Sequence, residues 1–133
     1  PSDRVAGTGP RRRRGVVIAR TWHGRVPATR ADDYHEYLRR TGLADYEATP
    51  GNLGVLVFRR TEGDVTHSLL TTFWDSVESI RRFAGDDYTR ARYYPEDDDY
   101  LLEREPLVTH YDVLEATLRT LDVPEGAGSE ERR

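Results

Sequence analysis

Apolar and polar positions alternate near the start of the chain in a way that predicts a β-strand. Residues 15–26 are rich in β-branched and aromatic side chains, and Pro27 follows them. The alternation places Ile18, Arg20 and Trp22 on one face of this strand. Both faces are mostly apolar, so we expect both to be covered.

The next segments predict a helix, a turn and a hairpin. Apolar residues at helical spacing predict a helix over residues 29–41 with Gly42 as its end. The sequence TPGN at 49–52 is typical of a turn. Two apolar runs, 53–60 and 67–74, predict antiparallel strands joined by a short loop that contains glycine.

A second helix and a last strand follow. Asp75 or Ser76 is expected to cap a helix that Gly85 ends, with a further helical stretch over 87–93. Pro95 is expected to end that stretch, and residues 107–116 predict the last strand.

The element order is therefore β-α-β-β-α-β, which predicts an α+β, ferredoxin-like domain with a four-stranded antiparallel sheet and helices on one face. Strands that are apolar on both faces need a second cover, most simply an identical subunit, so we predict a homodimer. Residues 15–118 form the predicted domain, between a disordered N-terminal arm, 1–14, and a flexible C-terminal tail, 119–133.

The amino-acid composition then excludes several types of catalytic and binding site. All 20 basic residues are arginine, lysine, cysteine and glutamine are absent, and Asn52 is the single asparagine among 133 residues. Schiff-base chemistry, a Walker-type phosphate loop, thiol nucleophiles, disulfides and cysteine-ligated zinc are excluded. Proton transfer near neutral pH is left to the histidines, the acids and the tyrosines.

Charge and hydropathy suggest a cytoplasmic protein that binds neither nucleic acid nor membrane. The net charge is −4 with 24 acidic residues, and the basic cluster 11–14 is most simply a solvated arm. No apolar run is long enough to span a membrane.

The chain resembles the antibiotic biosynthesis monooxygenase domains of the dimeric α/β-barrel superfamily. Four segments carry the resemblance, VVIARTWHG, TPGNLGVLVFRR, TTFWDSVESIRRFAG and VTHYDVLEA, all within residues 15–116. The third is the most specific, because a tryptophan at a strand end followed by Asp/Ser and a helix with an inward aromatic residue recurs through the family. The resemblance implies a pocket between sheet and helices in each subunit.

Two departures from the family pattern bear on activity. Well-studied cofactor-free oxygenases of the family use an asparagine a few residues before the tryptophan, whereas residues 69–73 before Trp74 contain none. Haem-degrading relatives use an asparagine, a tryptophan and a histidine at positions that correspond to Arg20, Phe83 and Arg92 or Tyr93. The haem ligand is therefore missing, and we expect neither haem nor another cofactor, and no metal.

Arg20 is the first catalytic candidate. A guanidinium in an apolar pocket can hold a phenolate, enolate or carboxylate with two hydrogen bonds and lower the pKa of the substrate. The structural alternative is an ion pair between Arg20 and a helix carboxylate, Glu36 or Asp33.

His110 and His35 are the candidate proton acceptors, because imidazole titrates near neutral pH. His110 lies in the middle of the last strand and His35 on the first helix. Hydrogen bonding within the core or the dimer interface is the structural alternative for His110, and solvent exposure is that for His35. His23 and His67, at strand ends, are expected to be exposed.

Aromatic and apolar residues supply candidate walls for a flat substrate. The acidic run 96–99 lacks the ligand spacing and the glycine of a calcium loop and is expected to be a solvated face. The candidate substrate-binding residues are Ile18, Trp22, Tyr34, Leu38, Trp74, Phe83, Tyr88, Tyr93 and Tyr94, although Trp74 and Phe83 are expected above all to fill the core.

Together these features favour a cofactor-independent monooxygenase-like enzyme of secondary metabolism that acts on a small aromatic or polyketide-type phenol or enol. A polyketide cyclase or isomerase would share enolate formation as its first step. A non-catalytic binding or interaction domain on the same fold is the other alternative.

Overall fold

The computed structural model describes residues 16–119 and 121–124. The predicted arm at 1–14, and all of the predicted tail except residues 119 and 121–124, lie outside the described residues. The strands are β1, Val17–Pro27; β2, Asn52–Glu62; β3, Val65–Trp74; and β4, Thr109–Val113. The α-helices are α1, Ala31–Arg40; α2, Gly42–Ala48; and α3, Val77–Ala84, and short 3-10 helices span Ala28–Arg30 and Pro95–Asp99.

The four strands form one antiparallel sheet in the order β2-β3-β1-β4. The two central strands are therefore not consecutive in sequence, as the predicted ferredoxin-like plan requires, and the fold class is confirmed. Arg20 on β1 lies between Thr72 on β3 and His110 on β4. The sheet register thus places a charged residue in the middle of the domain.

The described helices cover only one face of β1. Arg20, Trp22 and Val26 are buried on the face that carries the helices. The opposite face, which we call the open face, carries the odd-numbered residues of β1 and β3 and is covered by no helix of the described chain. Apolar side chains on it, Phe58, Leu69 and Tyr111, are 48%, 37% and 57% exposed.

The β2–β3 hairpin is tighter than predicted. The strands run to Glu62 and from Val65, so the turn has only two residues, Gly63 and Asp64. Gly63 has φ +61°, a left-handed conformation that a two-residue hairpin turn demands and that glycine adopts without strain. Residues predicted as loop are therefore paired strand.

The first helix, α1, ends at Arg40, close to the predicted end, but a second helix that the sequence did not predict, α2, begins at Gly42. The chain kinks at Thr41, whose hydroxyl donates to the Tyr37 carbonyl at 2.9 Å, and continues as α2. Tyr46 on α2 is 6% exposed, and its ring centroid lies 4.6 Å from that of Phe83. Burial of Tyr46 in the core offsets the low helix propensity of the glycine.

The helix α3 begins at the predicted cap. Ser76 Oγ accepts a hydrogen bond from Ser79 N at 3.1 Å, so Ser76, not Asp75, is the N-cap. The turn before β2 packs on this helix start, because a Cβ atom on Gly51 would lie 1.9 Å from Ser79 Oγ. Only glycine fits there.

The predicted helix over 87–93 is wrong. Residues 87–90 form a turn in which Arg90 N donates to the Asp87 carbonyl at 3.2 Å. The segment then pairs with the approach to β4: Ala91 N donates to the Pro106 carbonyl at 2.9 Å and Val108 N to the Thr89 carbonyl at 3.0 Å. These contacts satisfy the backbone without a helix. Pro95 opens a 3-10 helix rather than closing an α-helix, and β4 is shorter than the predicted strand 107–116.

The core lies between the sheet and the helices. Trp74 is fully buried, its ring centroid lies 6.0 Å from that of Phe83, and its indole N–H donates to Thr72 Oγ1 at 2.8 Å. The expectation that these two aromatic residues fill the core is confirmed. Within the described residues, no helix has the length and apolar character needed to cross a membrane.

Candidate functional site

A small, partly open cleft lies between the helix-bearing face of the sheet, the helices α1 and α2, and the segment that follows α3. Its walls are largely aromatic, with two arginines and one carboxylate among them. The lining residues are Arg20, Trp22, Tyr34, Leu38, Thr41, Gly42, Tyr46, Leu70, Phe83, Arg92, Tyr93, Tyr94 and Asp97. Flat, apolar walls with few polar groups are typical of sites for small organic ligands.

Arg20 is the most unusual group in the cleft. It is 2% exposed, and none of the ion pairs formed among the described residues involves it. Its Nη2 donates to the backbone carbonyls of Arg90 at 2.9 Å and Tyr88 at 3.4 Å, and its Nε has no hydrogen-bond partner. The alternative pairing of Arg20 with Glu36 or Asp33 is therefore wrong. Asp33 instead lies 3.9 Å from Arg30.

Burial lowers the pKa of Arg20 from its ordinary value, but arginine remains protonated near neutral pH. An unpaired cation in a low-dielectric site costs several kcal/mol, in the range of about 3–5 kcal/mol when a buried pair loses one partner. The fold therefore maintains a positive charge whose natural complement is an anion in the cleft.

Trp22 forms the wall next to Arg20. Its indole N–H donates to the Tyr93 hydroxyl at 3.1 Å, and that hydroxyl donates in turn to the Glu105 carbonyl. The ring lies over Gly24, where a Cβ atom would come within 2.3 Å of the indole. Gly24 thus leaves the space that the Trp22 ring occupies.

Asp97 is the cleft carboxylate. Its side chain is 4% exposed, and Oδ2 accepts a hydrogen bond from Tyr94 N at 2.6 Å, which fixes the carboxylate at the start of the 3-10 helix. Burial raises the pKa of Asp97, while the Tyr94 N–H, the Arg104 charge and the Tyr37 hydroxyl act in the lowering direction. The expectation that the whole run 96–99 is solvated is wrong for Asp97, although Glu96, Asp98 and Asp99 are exposed.

The tyrosines around the cleft are held in their neutral form. Burial raises the pKa of Tyr46 to about 12, and it also raises the pKa values of Tyr34, Tyr93 and Tyr94. The Tyr94 hydroxyl donates to Asp45, whose carboxylate lies 3.0 Å from Arg92 Nη2. Neutral phenols here serve as hydrogen-bond donors and apolar walls rather than as bases.

Six of the nine predicted substrate-binding residues line the cleft: Trp22, Tyr34, Leu38, Phe83, Tyr93 and Tyr94. The other three do not line it: Ile18 and Tyr88 pack against the core from partly buried positions, and Trp74 is buried within the core.

The two candidate proton acceptors lie outside the lining of the cleft. His110 faces Arg20 in the sheet register, its ring centroid lies 5.2 Å from that of Tyr88, and its Nε2 is buried without a partner. Burial and the Arg20 charge lower the pKa of His110. His35 is half-buried on α1, and burial together with Arg39 and Arg59 lowers its pKa. The catalytic roles of both residues stay predictions.

Six lining residues were not predicted from the sequence: Thr41, Gly42, Tyr46, Leu70, Arg92 and Asp97. Tyr46 lies on the helix that Gly42 was expected to prevent, and Arg92 lies on a segment expected to be helical. Asp97 is the first of three consecutive aspartates. The Tyr94-Pro95 pair before it is typical of a helix start, and this is the only sequence signal that Asp97, in the first turn of that helix, could face inward.

No protein-family model matches the sequence, and no curated protein sequence matches it. Solved structures match in fold. A Bacillus cereus protein provisionally named an antibiotic biosynthesis monooxygenase has a TM-score of 0.52 at 14% identity, over 78% of this chain and 98% of the other. A Nitrosomonas europaea protein of the same provisional name has a TM-score of 0.53 at 15% identity, over 77% and 93%.

A heme-degrading protein from Mycobacterium tuberculosis has a TM-score of 0.53 at 17% identity, over 76% of this chain and 98% of that one. At these identities the likeness concerns the fold alone. It confirms the expected resemblance to the ferredoxin-like fold of the antibiotic biosynthesis monooxygenase domains.

The cleft does not fit haem. None of its lining residues is a histidine, and the tyrosines that line it have raised pKa values, which disfavours the phenolate form that ligates iron.

Proposed function

We propose that the cleft binds a flat phenol or enol as its anion and that the protein is a cofactor-independent, monooxygenase-like enzyme of secondary metabolism acting on an aromatic or polyketide-type substrate. One observation carries the proposal: Arg20, 2% exposed, lines an aromatic cleft, and no carboxylate of the described chain forms an ion pair with it. A buried guanidinium of this kind stabilises an oxyanion more strongly than an exposed one, because water does not screen it.

Asp97 is the proton acceptor in this proposal. It is the one carboxylate among the lining residues, it is held in place by Tyr94 N, and burial makes it a stronger base than an exposed aspartate. Trp22, Phe83 and the tyrosines hold the ring system between them, and Arg20 stabilises the negative charge that forms on the substrate oxygen.

The oxygenase reaction balances without an external reductant. A methylene group next to the enol loses one proton to Asp97 and passes electrons to molecular oxygen. In the net reaction the CH2 group is oxidised by four electrons to C=O, one oxygen atom enters the carbonyl, and the other leaves as water. The substrate supplies all four electrons.

A cyclase or isomerase is the second candidate, and the residues before Trp74 favour it. No asparagine lies among residues 69–73, where the cofactor-free oxygenases of the resembling family have theirs, so a group that would orient oxygen is missing there. Deprotonation by Asp97 and stabilisation by Arg20 would serve ring closure equally well. A binding domain without catalysis would use the same cleft but no proton transfer.

We further propose that two copies of the chain pair through the open face. Phe58 and Leu69 lie side by side on this face in the sheet register, and both are more than one-third exposed. A dimer would bury them and leave the cleft, on the opposite side of the sheet, accessible.

A panel of polyhydroxylated naphthalenes and anthracenes tests the function. Binding as the anion shifts the absorbance of the probe to longer wavelength below its solution pKa, and we expect Arg20→Ala to abolish this shift. Arg39→Ala, which removes an exposed arginine outside the cleft, is the matched control.

The same panel separates the alternatives. Oxygen consumption with a carbonyl product supports the oxygenase, conversion in anaerobic buffer supports the cyclase or isomerase, and a shift without turnover indicates a binding domain. If no probe shifts in the parent protein, or if Arg20→Ala shifts the probes as the parent does, anion binding at Arg20 is refuted.

A further inference from the structure

Tyr46 lines the cleft together with Arg20, and its hydroxyl forms no hydrogen bond with any residue that the structure describes. Its ring is fixed in the core, with its centroid 4.6 Å from that of Phe83 and 6.3 Å from that of Trp74. We propose that Arg20 and Tyr46 together hold one phenolate or enolate oxygen of the substrate and discriminate against carboxylates. The inference rests on the proposed function, because it requires that the cleft binds its substrate as an anion.

The guanidinium of Arg20 cannot hold a carboxylate with two parallel hydrogen bonds. Such a fork needs either both Nη atoms or Nε with one Nη. Nη2 already donates to the carbonyls of Arg90 and Tyr88, and Nε is buried. Among the described residues nothing accepts a hydrogen bond from Nη1, so this one nitrogen is left for a ligand oxygen.

The hydroxyls of the other lining tyrosines are committed elsewhere or face a carboxylate. Tyr93 donates to a backbone carbonyl and Tyr94 to an aspartate. Burial and the Asp97 charge both raise the pKa of Tyr34, which places the Tyr34 hydroxyl in the field of that carboxylate. Tyr46 is thus the lining tyrosine whose hydroxyl is both free and away from a negative charge.

Positive charge surrounds the Tyr46 hydroxyl. Burial raises the pKa of Tyr46 to about 12, and the charges of Arg20 and Arg92 act in the lowering direction. Arg92 is neutralised, because its Nη2 lies 3.0 Å from the Asp45 carboxylate and its Nη1 donates to the Phe83 carbonyl at 3.0 Å. The uncompensated charge beside this neutral hydroxyl is therefore that of Arg20.

Two donors on different residues suit a single oxygen. A neutral hydroxyl and a guanidinium that are fixed before the ligand binds stabilise charge on one oxyanion without reorganisation. A carboxylate spreads its charge over two oxygens, and the second oxygen would lose its water without gaining the Arg20 donor. The arrangement therefore favours a phenolate or enolate over a carboxylate of the same ring size.

Imidazoles supply none of the donors that line the cleft. His23 and His67 lie on the open face, on the other side of the sheet, where His23 Nε2 and His67 Nδ1 share a hydrogen bond at 2.9 Å. Both rings are half-buried, so the expectation that they are exposed is wrong. Neither ring can replace Tyr46 at the substrate oxygen.

A pair of probes with the same ring, 2-naphthol and 2-naphthoate, tests the site on the full chain. Absorbance titrations at several pH values give the dissociation constants of both anions and the pKa of bound 2-naphthol. In the parent protein we expect this pKa to be lower than in solution, and we expect 2-naphthoate to bind at least about tenfold more weakly than the naphtholate.

Tyr46→Phe keeps the ring and removes the donor. It should raise the pKa of bound 2-naphthol by about one unit relative to the parent, which corresponds to about tenfold weaker binding of the anion. Binding of neutral 2-naphthol should not change. Tyr100→Phe, which removes a hydroxyl from a ring outside the cleft lining, is the matched control and should leave the pKa of the bound probe as in the parent.

An unchanged pKa of bound 2-naphthol in Tyr46→Phe would overturn the role of Tyr46, even where Arg20→Ala abolishes the shift and so supports the proposed function. Binding of 2-naphthoate as tight as that of the naphtholate would overturn the discrimination. A parent protein that binds neither anion would refute this proposal and the proposed function together. Far-ultraviolet circular dichroism verifies that each variant is folded.

Discussion

Arg20 and His110 lie directly opposite each other on β1 and β4, and the arginine charge helps to hold the histidine neutral. Because burial and Arg20 both lower the pKa of His110, the unfolded chain binds this proton more readily than the folded chain. Stability therefore rises with pH through the window from the lowered pKa up to about 6.5 and is then constant with respect to this group.

We expect His110→Gln to lose part of that pH dependence. Urea unfolding at about pH 5 and about pH 7.5 measures it, since only the lower value lies below the ordinary histidine pKa. His35, whose pKa is also lowered, contributes in the same direction, so the double variant with His35→Gln should be flatter still. Equal pH dependence in parent and His110→Gln would contradict the lowered pKa.

Asp97→Asn should stabilise the protein while impairing any deprotonation that it performs. The folded-state pKa of Asp97 is raised, so the folded chain binds the proton more readily, and stability falls as pH rises through the interval between about 3.9 and the raised value. At neutral pH the uncharged amide avoids this cost, with an expected gain of about 0.5–2 kcal/mol in the free energy of unfolding.

The gain in the free energy of unfolding from Asp97→Asn should vanish in acid, below the carboxylate pKa. At neutral pH, turnover of a reactive probe should fall by about 10²- to 10⁴-fold. Chemical unfolding and initial rates provide the two measurements. Asp98→Asn, at the exposed neighbour, is the control. If Asp97→Asn stabilises the protein but leaves turnover unchanged, the carboxylate is buried as described but is not the proton acceptor.

Gly24→Ala should disturb the cleft through Trp22. The new methyl group would lie 2.3 Å from the indole, so the ring must move and its hydrogen bond to Tyr93 must lengthen or break. Overpacking of this kind costs about 1–3 kcal/mol. Thermal unfolding measures the cost, and probe binding measures the damage to the cleft wall.

Gly54→Ala is the matched control for Gly24→Ala, because a Cβ atom at Gly54 would have nothing within 4 Å of it. The φ of +151° at Gly54 adds some backbone strain to this control. If Gly24→Ala binds the probes and unfolds as the parent does, Trp22 does not form the wall described.

Sequence patterns predict the sheet better than the segments beside it. Alternation over β1 and β3 is strong, since each strand is buried on one face, and this places Arg20 and Trp22 at the cleft correctly. The helix α2 was missed because Gly42 has low helix propensity, and only the burial of Tyr46 against Phe83 makes that segment helical.

Long-range contacts account for what the sequence does not reveal about the site. Residues 87–93 form no helix because residues 89–91 pair through their backbone with residues 106–108, which no local pattern indicates. Asp97 is buried whereas Asp98 and Asp99 are exposed, although all three are the same residue type in one short run. The choice among them depends on how the 3-10 helix packs against α1.

Leu69→Glu should dissociate the proposed dimer. Leu69 lies on the central strand β3, next to Phe58 on β2 and opposite His23 on β1, so its side chain stands in the open face. A buried, unpaired carboxylate in each of two facing sheets is costly, whereas on a monomer the introduced carboxylate would remain in water.

Light scattering coupled to size exclusion measures the effect of Leu69→Glu on the mass. We expect a dimer for the parent and a monomer for the variant, with at least a tenfold weaker association, or about 1.4 kcal/mol. Leu102→Glu, at an exposed leucine outside the four strands, should leave the mass unchanged. A monomeric parent at the concentrations of the assay would refute pairing through this face, and a dimer that survives Leu69→Glu would place the interface elsewhere.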